Sequence, residues 1–110
     1  MIARIWHGVT AQAKSDEYFD YLSRTGIPDY RATEGNRGVF VLRRIEEGES
    51  HFLLISLWQS IDAIKKFSGD DIQRARYYPE DAQYLLELEP HVQHYEIINE
   101  PEKELNQCQK

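Results

Sequence analysis

The sequence of 110 residues predicts an α+β fold, in which helices cover one side of a four-stranded antiparallel sheet. One observation is a change of hydrophobic spacing after Trp58. A nearly continuous apolar run precedes it, and apolar residues then recur at Ile61, Ile64 and Phe67; this indicates a strand followed directly by a helix. The second observation is the order of local signals along the whole chain, which reads strand, helix, strand, strand, helices, strand.

The first half of this order begins with a loosely alternating segment, Ile2–Thr10, which predicts a strand. A helix is expected from Ser15, because its hydroxyl can accept a free backbone amide and the two acids that follow favour the positive end of the helix dipole. Gly26 and Pro28 should end that helix. The region Asp29–Arg37 is expected to be a loop, with an extension of the helix after a kink as the alternative.

Two apolar segments, Gly38–Ile45 and His51–Trp58, predict an antiparallel hairpin. The link between them, Glu46–Ser50, is short and polar. It contains Gly48, where a tight turn requires a positive φ.

The second half of the order continues with helices expected at Ser60–Phe67 and Asp70–Arg76, and a further short helix opened by Pro79. A last strand is expected at His91–Ile98, since the residue before Pro90 is biased towards extended backbone. The full order is the βαββαβ pattern of the ferredoxin-like fold.

Composition limits the classes of function. A net charge of −6 argues against nucleic acid as a partner, because affinity for the phosphate backbone comes from clustered Lys and Arg. The chain starts without the apolar core of a signal peptide and contains no run long enough to span a membrane, so no membrane partner and a cytoplasmic location are expected. The single cysteine, Cys108, lies in a polar tail and is expected to be an exposed bystander.

Both faces of the predicted sheet carry apolar residues, which the segments Val39–Leu42 and Phe52–Leu57 illustrate. Helices from the same chain can cover only one of these faces. The simplest cover for the other is the sheet of a second copy. The sequence therefore predicts a homodimer whose two sheets pack back to back as a barrel.

Two motifs, Leu57–Phe67 and Tyr77–Ile97, make the chain resemble the antibiotic biosynthesis monooxygenase (ABM) domain family of dimeric α/β barrels. The resemblance covers residues 1–98 and leaves 99–110 as a polar C-terminal tail. It implies a cofactor-independent monooxygenase that oxidises a small planar aromatic, quinol-type substrate with O2. The alternative is a small-molecule-binding or stress-related dimeric barrel without turnover, and an interaction-only dimer is a third choice.

The resemblance also brings in a haem-degrading branch, whose pattern this chain does not follow. That branch places an Asn on the first strand, a Trp at the end of the helix after the Trp-strand, and a His as iron ligand on the next helix. The corresponding positions here hold His7, Phe67 and Tyr77. Haem degradation is therefore not expected.

Three residues are the candidates for catalysis. His7 shares a strand side with Ile5 and Val9, could point into the space between sheet and helices, and would act as general base at neutral pH. Arg76 could stabilise a developing enolate or phenolate, and Tyr77 could donate a hydrogen bond to it. The alternatives are a hydrogen-bonded core or rim histidine and a tyrosine that only packs.

Four further residues are candidates for substrate binding, each with a structural alternative. Tyr78 could stack on a planar ligand, whereas Trp58 and Phe67 could line a pocket or simply fill the core. His94 could belong to the pocket or to the dimer interface. The histidines are scattered and the cysteine is alone, so no metal site is expected. The resemblance to cofactor-independent monooxygenases implies that no cofactor is needed.

Overall fold

A computed structural model describes residues 1–101 and shows one antiparallel four-stranded sheet with helices on one side. The strands are β1 (Ile2–Ala11), β2 (Asn36–Glu46), β3 (Glu49–Trp58) and β4 (Gln93–Glu96). The helices are α1 (Ser15–Arg24), α2 (Gly26–Ala32), α3 (Ile61–Ser68) and the short α4 (Asp81–Tyr84), with a 3-10 turn at Gln12–Lys14. The strand order β2-β3-β1-β4 is that of the ferredoxin-like fold, which confirms the predicted fold class.

The hairpin between β2 and β3 forms around a two-residue turn, Glu47 and Gly48. Both residues have positive φ, 52° and 80°, as a type I′ turn requires. Glu46 pairs with Glu49 across the turn. The expected hairpin and the role of its glycine are therefore confirmed.

The first helical region differs from the simple expectation of one helix and a loop. The chain kinks at Thr25, after α1, and continues as α2 from Gly26. Pro28 lies in the first turn of α2, where a helix needs no backbone N–H donor. The helical extension after a kink is thus what forms, and residues 29–32 of the expected loop are helical.

The helix expected at Asp70–Arg76 is wrong, because this segment consists of turns and extended backbone. The amide of Ala75 donates to the carbonyl of Pro90, and that of Val92 donates to the carbonyl of Gln73, both at 2.8 Å. This local ladder uses the backbone groups that a helix would need. The last strand is correspondingly shorter than expected.

The two faces of the sheet have different surroundings. On β1, Arg4, Trp6 and Thr10 point towards the helices and are buried, whereas Ile5, His7 and Val9 point the other way and are half-buried. The core lies on the helix side and is rich in aromatic residues: Trp6, Tyr18, Tyr21, Tyr30, Phe52, Trp58 and Phe67.

The opposite side of the sheet is called the open face below. The side chains on it that follow from strand register are Ile5, His7, Val9, Phe40, Leu42, Arg44, His51, Leu53, Ile55, Leu57 and Tyr95. Phe40, Leu42 and Tyr95 are 58%, 44% and 55% exposed. Within residues 1–101, no helix is both long and apolar enough to cross a membrane.

Candidate functional site

A cavity of about 20 Å³ lies between the sheet and the helices. Its walls are mainly aromatic, with one guanidinium and one carboxylate. The lining residues are Trp6, Tyr18, Leu22, Gly26, Tyr30, Leu54, Phe67, Arg76, Tyr78 and Asp81. This volume holds about one water molecule, so the cavity leaves room for little more than that.

The sheet side of the cavity is formed by Trp6, whose ring folds back along its own strand over Gly8. A Cβ at Gly8 would lie 2.3 Å from Cη2 of Trp6, which no side chain could tolerate without a shift. On the helix side, Tyr30 of α2 stacks on Phe67 of α3, with ring centroids 4.4 Å apart. Glycine at position 8 therefore permits the indole to line the cavity.

Arg76 and Tyr78 form the outer wall. The Arg76 guanidinium lies 4.8 Å from the Phe67 ring centroid and 5.2 Å from that of Tyr78, and Nη1 donates to the Phe67 carbonyl at 3.0 Å. The Tyr78 hydroxyl and Nη2 of Arg76 both donate to Oδ2 of Asp29, at 2.7 Å and 3.3 Å. Burial, and then the bond to Asp29, raises the pKa of Tyr78, so its hydroxyl stays protonated.

Asp81 is the carboxylate of the cavity, and it is only 3% exposed. Its Oδ1 accepts a hydrogen bond from the Tyr18 hydroxyl at 3.0 Å, and its Oδ2 accepts one from the Tyr78 backbone amide at 2.6 Å. Burial raises the pKa of Asp81 despite these two bonds. Burial also raises the pKa of Tyr18, with a further contribution from Asp81.

Behind Tyr30 and Phe67 lies a second buried group, the guanidinium of Arg4, which is 1% exposed. It donates to the carbonyls of Ile72 at 2.5 Å and Arg74 at 3.0 Å, and it lies 3.1 Å from Nε2 of His94. Within residues 1–101, Nε of Arg4 has no hydrogen-bond partner and the guanidinium forms no ion pair. A buried cation thus stands beside the aromatic wall of the cavity.

The structure brings three of the predicted site residues, Phe67, Arg76 and Tyr78, together at this cavity. Trp58 instead belongs to the core, where it is fully buried and its Nε1 donates to Ser56 at 2.8 Å. The hydroxyl of Tyr77 donates to the Glu89 carbonyl at 2.5 Å, and Tyr77 does not line this cavity.

The expectation that His7 points into the space between sheet and helices is wrong. His7 does share a side of β1 with Ile5 and Val9, but that side is the open face. Its Nδ1 lies 2.6 Å from Oε2 of Glu89, and its Nε2 lies 3.2 Å from Nδ1 of His51. His94 pairs with Arg4 across β1 and β4 and lies on the helix side, rather than on the open face.

Sequence reasoning did not single out Tyr18, Tyr30 or Asp81 as site residues. Tyr18 was recognisable as part of the buried face of α1, and Asp81 as an acid at the start of a short helix. Nothing in the local pattern showed that Asp81 is buried, because it is placed by long-range contacts with α1. Tyr30 stood in a region expected to be a loop.

The likeness to known proteins lies in the three-dimensional structure rather than in the amino-acid sequence. No protein-family model and no curated protein matches the chain. Solved structures that resemble it include the haem degrader MhuD from Mycobacterium tuberculosis with two haems in its active site (TM-score 0.61, 14% identity, 93% of this chain and 100% of that one).

Two putative antibiotic biosynthesis monooxygenases are similar to the same degree. One is from Bacillus cereus (TM-score 0.62, 14% identity, 92% of this chain and 96% of that one). The other is from Nitrosomonas europaea (0.61, 15%, 90% and 100%). At such identities the likeness establishes the fold alone, and this fold is the one that the resemblance implied.

Proposed function

We propose that the protein is a monooxygenase that oxidises a small planar aromatic, quinol-type substrate with O2, in the cavity between the sheet and the helices. The observation that carries the proposal is the cavity lining, in which stacked aromatic walls surround one guanidinium, Arg76, and one buried carboxylate, Asp81. Flat apolar walls with a few polar groups suit such a ligand. Two structural neighbours are described as putative monooxygenases, which agrees with this reaction class.

The reaction that such a site can support needs no external reductant. An activated CH2 of the substrate, or the hydroxyl of its enol form, loses a proton to a base of the site. The resulting anion, whose charge is shared between carbon and oxygen, transfers electrons to O2, and a C–O bond forms. The O–O bond then breaks, so that CH2 and O2 become a carbonyl group and water. Arg76 would stabilise the negative charge on the substrate oxygen during these steps.

A second candidate is a barrel that binds a small molecule without turnover, because the predicted general base, His7, lies on the open face and not at this cavity. Both candidates need more space than the cavity offers. A drug-sized ligand needs roughly 300 Å³ or more, whereas the cavity measures about 20 Å³. A ligand must therefore displace part of the wall. Arg76 and Tyr78 are the candidates for this movement. They lie at the rim of the cavity, and each is held there by a hydrogen bond to the carboxylate of Asp29 on α2.

Haem is bound by one structural neighbour, and the residues of this chain do not fit it. The hydroxyl of Tyr77, at the position of the iron ligand in the resemblance, already donates to a backbone carbonyl. His7 lies on the open face, and among residues 1–101 no group of three His, Cys, Asp or Glu side chains could hold a metal ion. We therefore include no haem chemistry in the proposal.

A homodimer is part of the proposal, and the open face supports it. This face is largely apolar and carries the exposed Phe40, Leu42 and Tyr95. The sheet of a second copy would remove these side chains from water, which stabilises association. A cytoplasmic location and a division into a domain of residues 1–98 and a tail of 99–110 remain predictions, and Cys108 lies outside the described residues.

O2 uptake with anthrone as the probe substrate tests the monooxygenase proposal. The wild-type protein should consume O2 and release the quinone, which is followed by its absorbance. Arg76→Gln should reduce the rate, whereas Arg24→Gln should not, because Arg24 is exposed and bonds Asp20 on α1. Binding of anthrone without O2 uptake would favour the second candidate. If the protein neither binds anthrone nor consumes O2, both candidate functions are contradicted.

A further inference from the structure

We propose that Asp81 is the proton acceptor of this cavity, and that the ligand therefore presents an acidic hydroxyl group, a phenol or an enol, to its carboxylate. The inference rests on the proposed function, since it places a ligand in the cavity between the sheet and the helices. It adds a catalytic residue to the proposed function, and it states which group of the ligand that residue meets.

The contacts of Asp81 leave it able to accept a proton. Each carboxylate oxygen accepts one hydrogen bond, Oδ1 from Tyr18 and Oδ2 from the Tyr78 amide. A carboxylate oxygen has two lone pairs, so one remains on each. No Lys, Arg or His in residues 1–101 forms an ion pair with Asp81, and thus no cation occupies its remaining lone pairs.

The other polar side chains of the cavity cannot accept a proton at neutral pH. Burial raises the pKa of Tyr18, Tyr30 and Tyr78, which keeps all three phenols protonated at neutral pH. Arg76 is a permanent cation. Asp81 is the one carboxylate among the lining residues, and burial raises its pKa as well, which makes it a stronger base than an exposed aspartate.

The proton transfer also improves the placement of charge. The substrate O–H bond breaks, its proton moves to a carboxylate oxygen of Asp81, and the electron pair stays on the substrate oxygen. The buried carboxylate becomes neutral, which removes the desolvation penalty on its charge. The new anion lies in a cavity whose outer wall carries the Arg76 guanidinium, so the negative charge has a cation in the same site.

The test uses 1,8-dihydroxyanthraquinone, whose absorbance changes when a hydroxyl ionises, and anthraquinone as the matched probe without hydroxyls. Bound to the wild-type protein, the dihydroxy probe should ionise at a lower pH than it does free in solution. A shift of one pKa unit is a tenfold change in the ratio of ionised to neutral probe at fixed pH. Because the proton stays on Asp81, an indicator in weakly buffered solution should report no net proton release.

The decisive variant is Asp81→Asn. Its amide oxygen can accept from the Tyr78 amide and its NH2 can donate to the Tyr18 hydroxyl, so both contacts have replacements. It should bind anthraquinone as the wild type does but lose the shift in ionisation. Tyr18→Phe removes the hydrogen bond to Oδ1 and keeps the carboxylate; it should retain the shift, which a purely structural role of Asp81 would not predict.

Four outcomes would overturn the inference. Ionisation of the probe in Asp81→Asn at the same lowered pH as in the wild type would show that another group is the acceptor. Ionisation with release of a proton to solvent would show the same. Either outcome would leave the proposed function in place. Binding of the dihydroxy probe in its neutral form to the wild type would show that Asp81 accepts no proton from it, and it would also leave the proposed function in place. If neither probe binds, the proposed function fails and the inference fails with it.

Discussion

Arg4 and His94 are paired across strands β1 and β4, with Nη1 of the arginine 3.1 Å from Nε2 of the histidine. A guanidinium only donates hydrogen bonds, so Nε2 must accept and cannot carry a proton. The His94 ring is therefore neutral, with its proton on Nδ1. Burial, and then the charge of Arg4, lowers the pKa of His94, in agreement with this assignment.

This pair makes stability depend on pH. The folded pKa of His94 lies below its unfolded value of about 6.5, so its contribution to stability is present above that pH and is lost as the pH falls towards the folded pKa. We expect His94→Gln, whose side-chain oxygen can accept from Arg4, to lose less free energy of unfolding than the wild type between roughly pH 7.5 and pH 5. Urea unfolding measures this.

The matched control is His91→Gln, because His91 is exposed. This variant should keep the pH dependence of the wild type. If His94→Gln and the wild type lost the same free energy of unfolding over this pH range, folding would not lower the pKa of His94.

A charged residue on the open face should dissociate the proposed homodimer. Leu53 is half-buried near the middle of that face, and Leu53→Lys would bring an unpaired ammonium into an apolar interface, which is strongly unfavourable. Light scattering at micromolar concentration should give the mass of a dimer for the wild type and of a monomer for the variant. Asp20→Lys, on the exposed side of α1, should stay dimeric. A monomeric wild type would contradict the proposal.

Tyr77→Phe should lower stability rather than ligand affinity. The lost hydroxyl donates to the Glu89 carbonyl at 2.5 Å, and one such neutral bond contributes about 0.5–1.5 kcal/mol to the free energy of unfolding. The control is Tyr95→Phe, whose hydroxyl bonds the exposed Gln93 and should matter little. A loss of anthrone binding without a loss of stability would instead support the catalytic role that the sequence suggested for Tyr77.

Gly8→Ala should destabilise the fold and disturb the cavity. The added Cβ would lie 2.3 Å from Cη2 and 2.8 Å from Cζ2 of Trp6, so the indole must move, at a cost of about 1–3 kcal/mol. Gly26→Ala is the control, because its Cβ would lie 3.6 Å from the Tyr78 ring in ordinary contact. Urea unfolding and Trp fluorescence follow the two effects. Equal stability of the two variants would mean that Trp6 adapts freely.

The fold could be predicted because local patterns determine most of it. The hydrophobic spacing around Trp58 predicted β3 and α3, and Gly48 marked the hairpin turn. The segment Asp70–Arg76 was predicted wrongly because its backbone pairs with residues around His91, a contact that a local window does not contain.

The site was only half predictable for a related reason. Arg76 and Tyr78 were found as an aromatic and cationic cluster. His7 was assigned to the correct side of its strand, yet alternation alone does not tell which side meets the helices. The burial of Asp81 depends on Tyr18, 63 positions earlier in the chain, and only the tertiary structure shows it.

Alternation along β1 has a consequence for how such a protein can change over generations. Trp6 and its even-numbered neighbours face the helices, and His7 and its odd-numbered neighbours face the proposed partner. Under the proposed function, a point mutation on this strand would thus affect either the side that carries the ligand cavity or the dimer interface, and seldom both. Within these ten consecutive residues, substitutions on one side of the strand can therefore be selected while the other side stays unchanged.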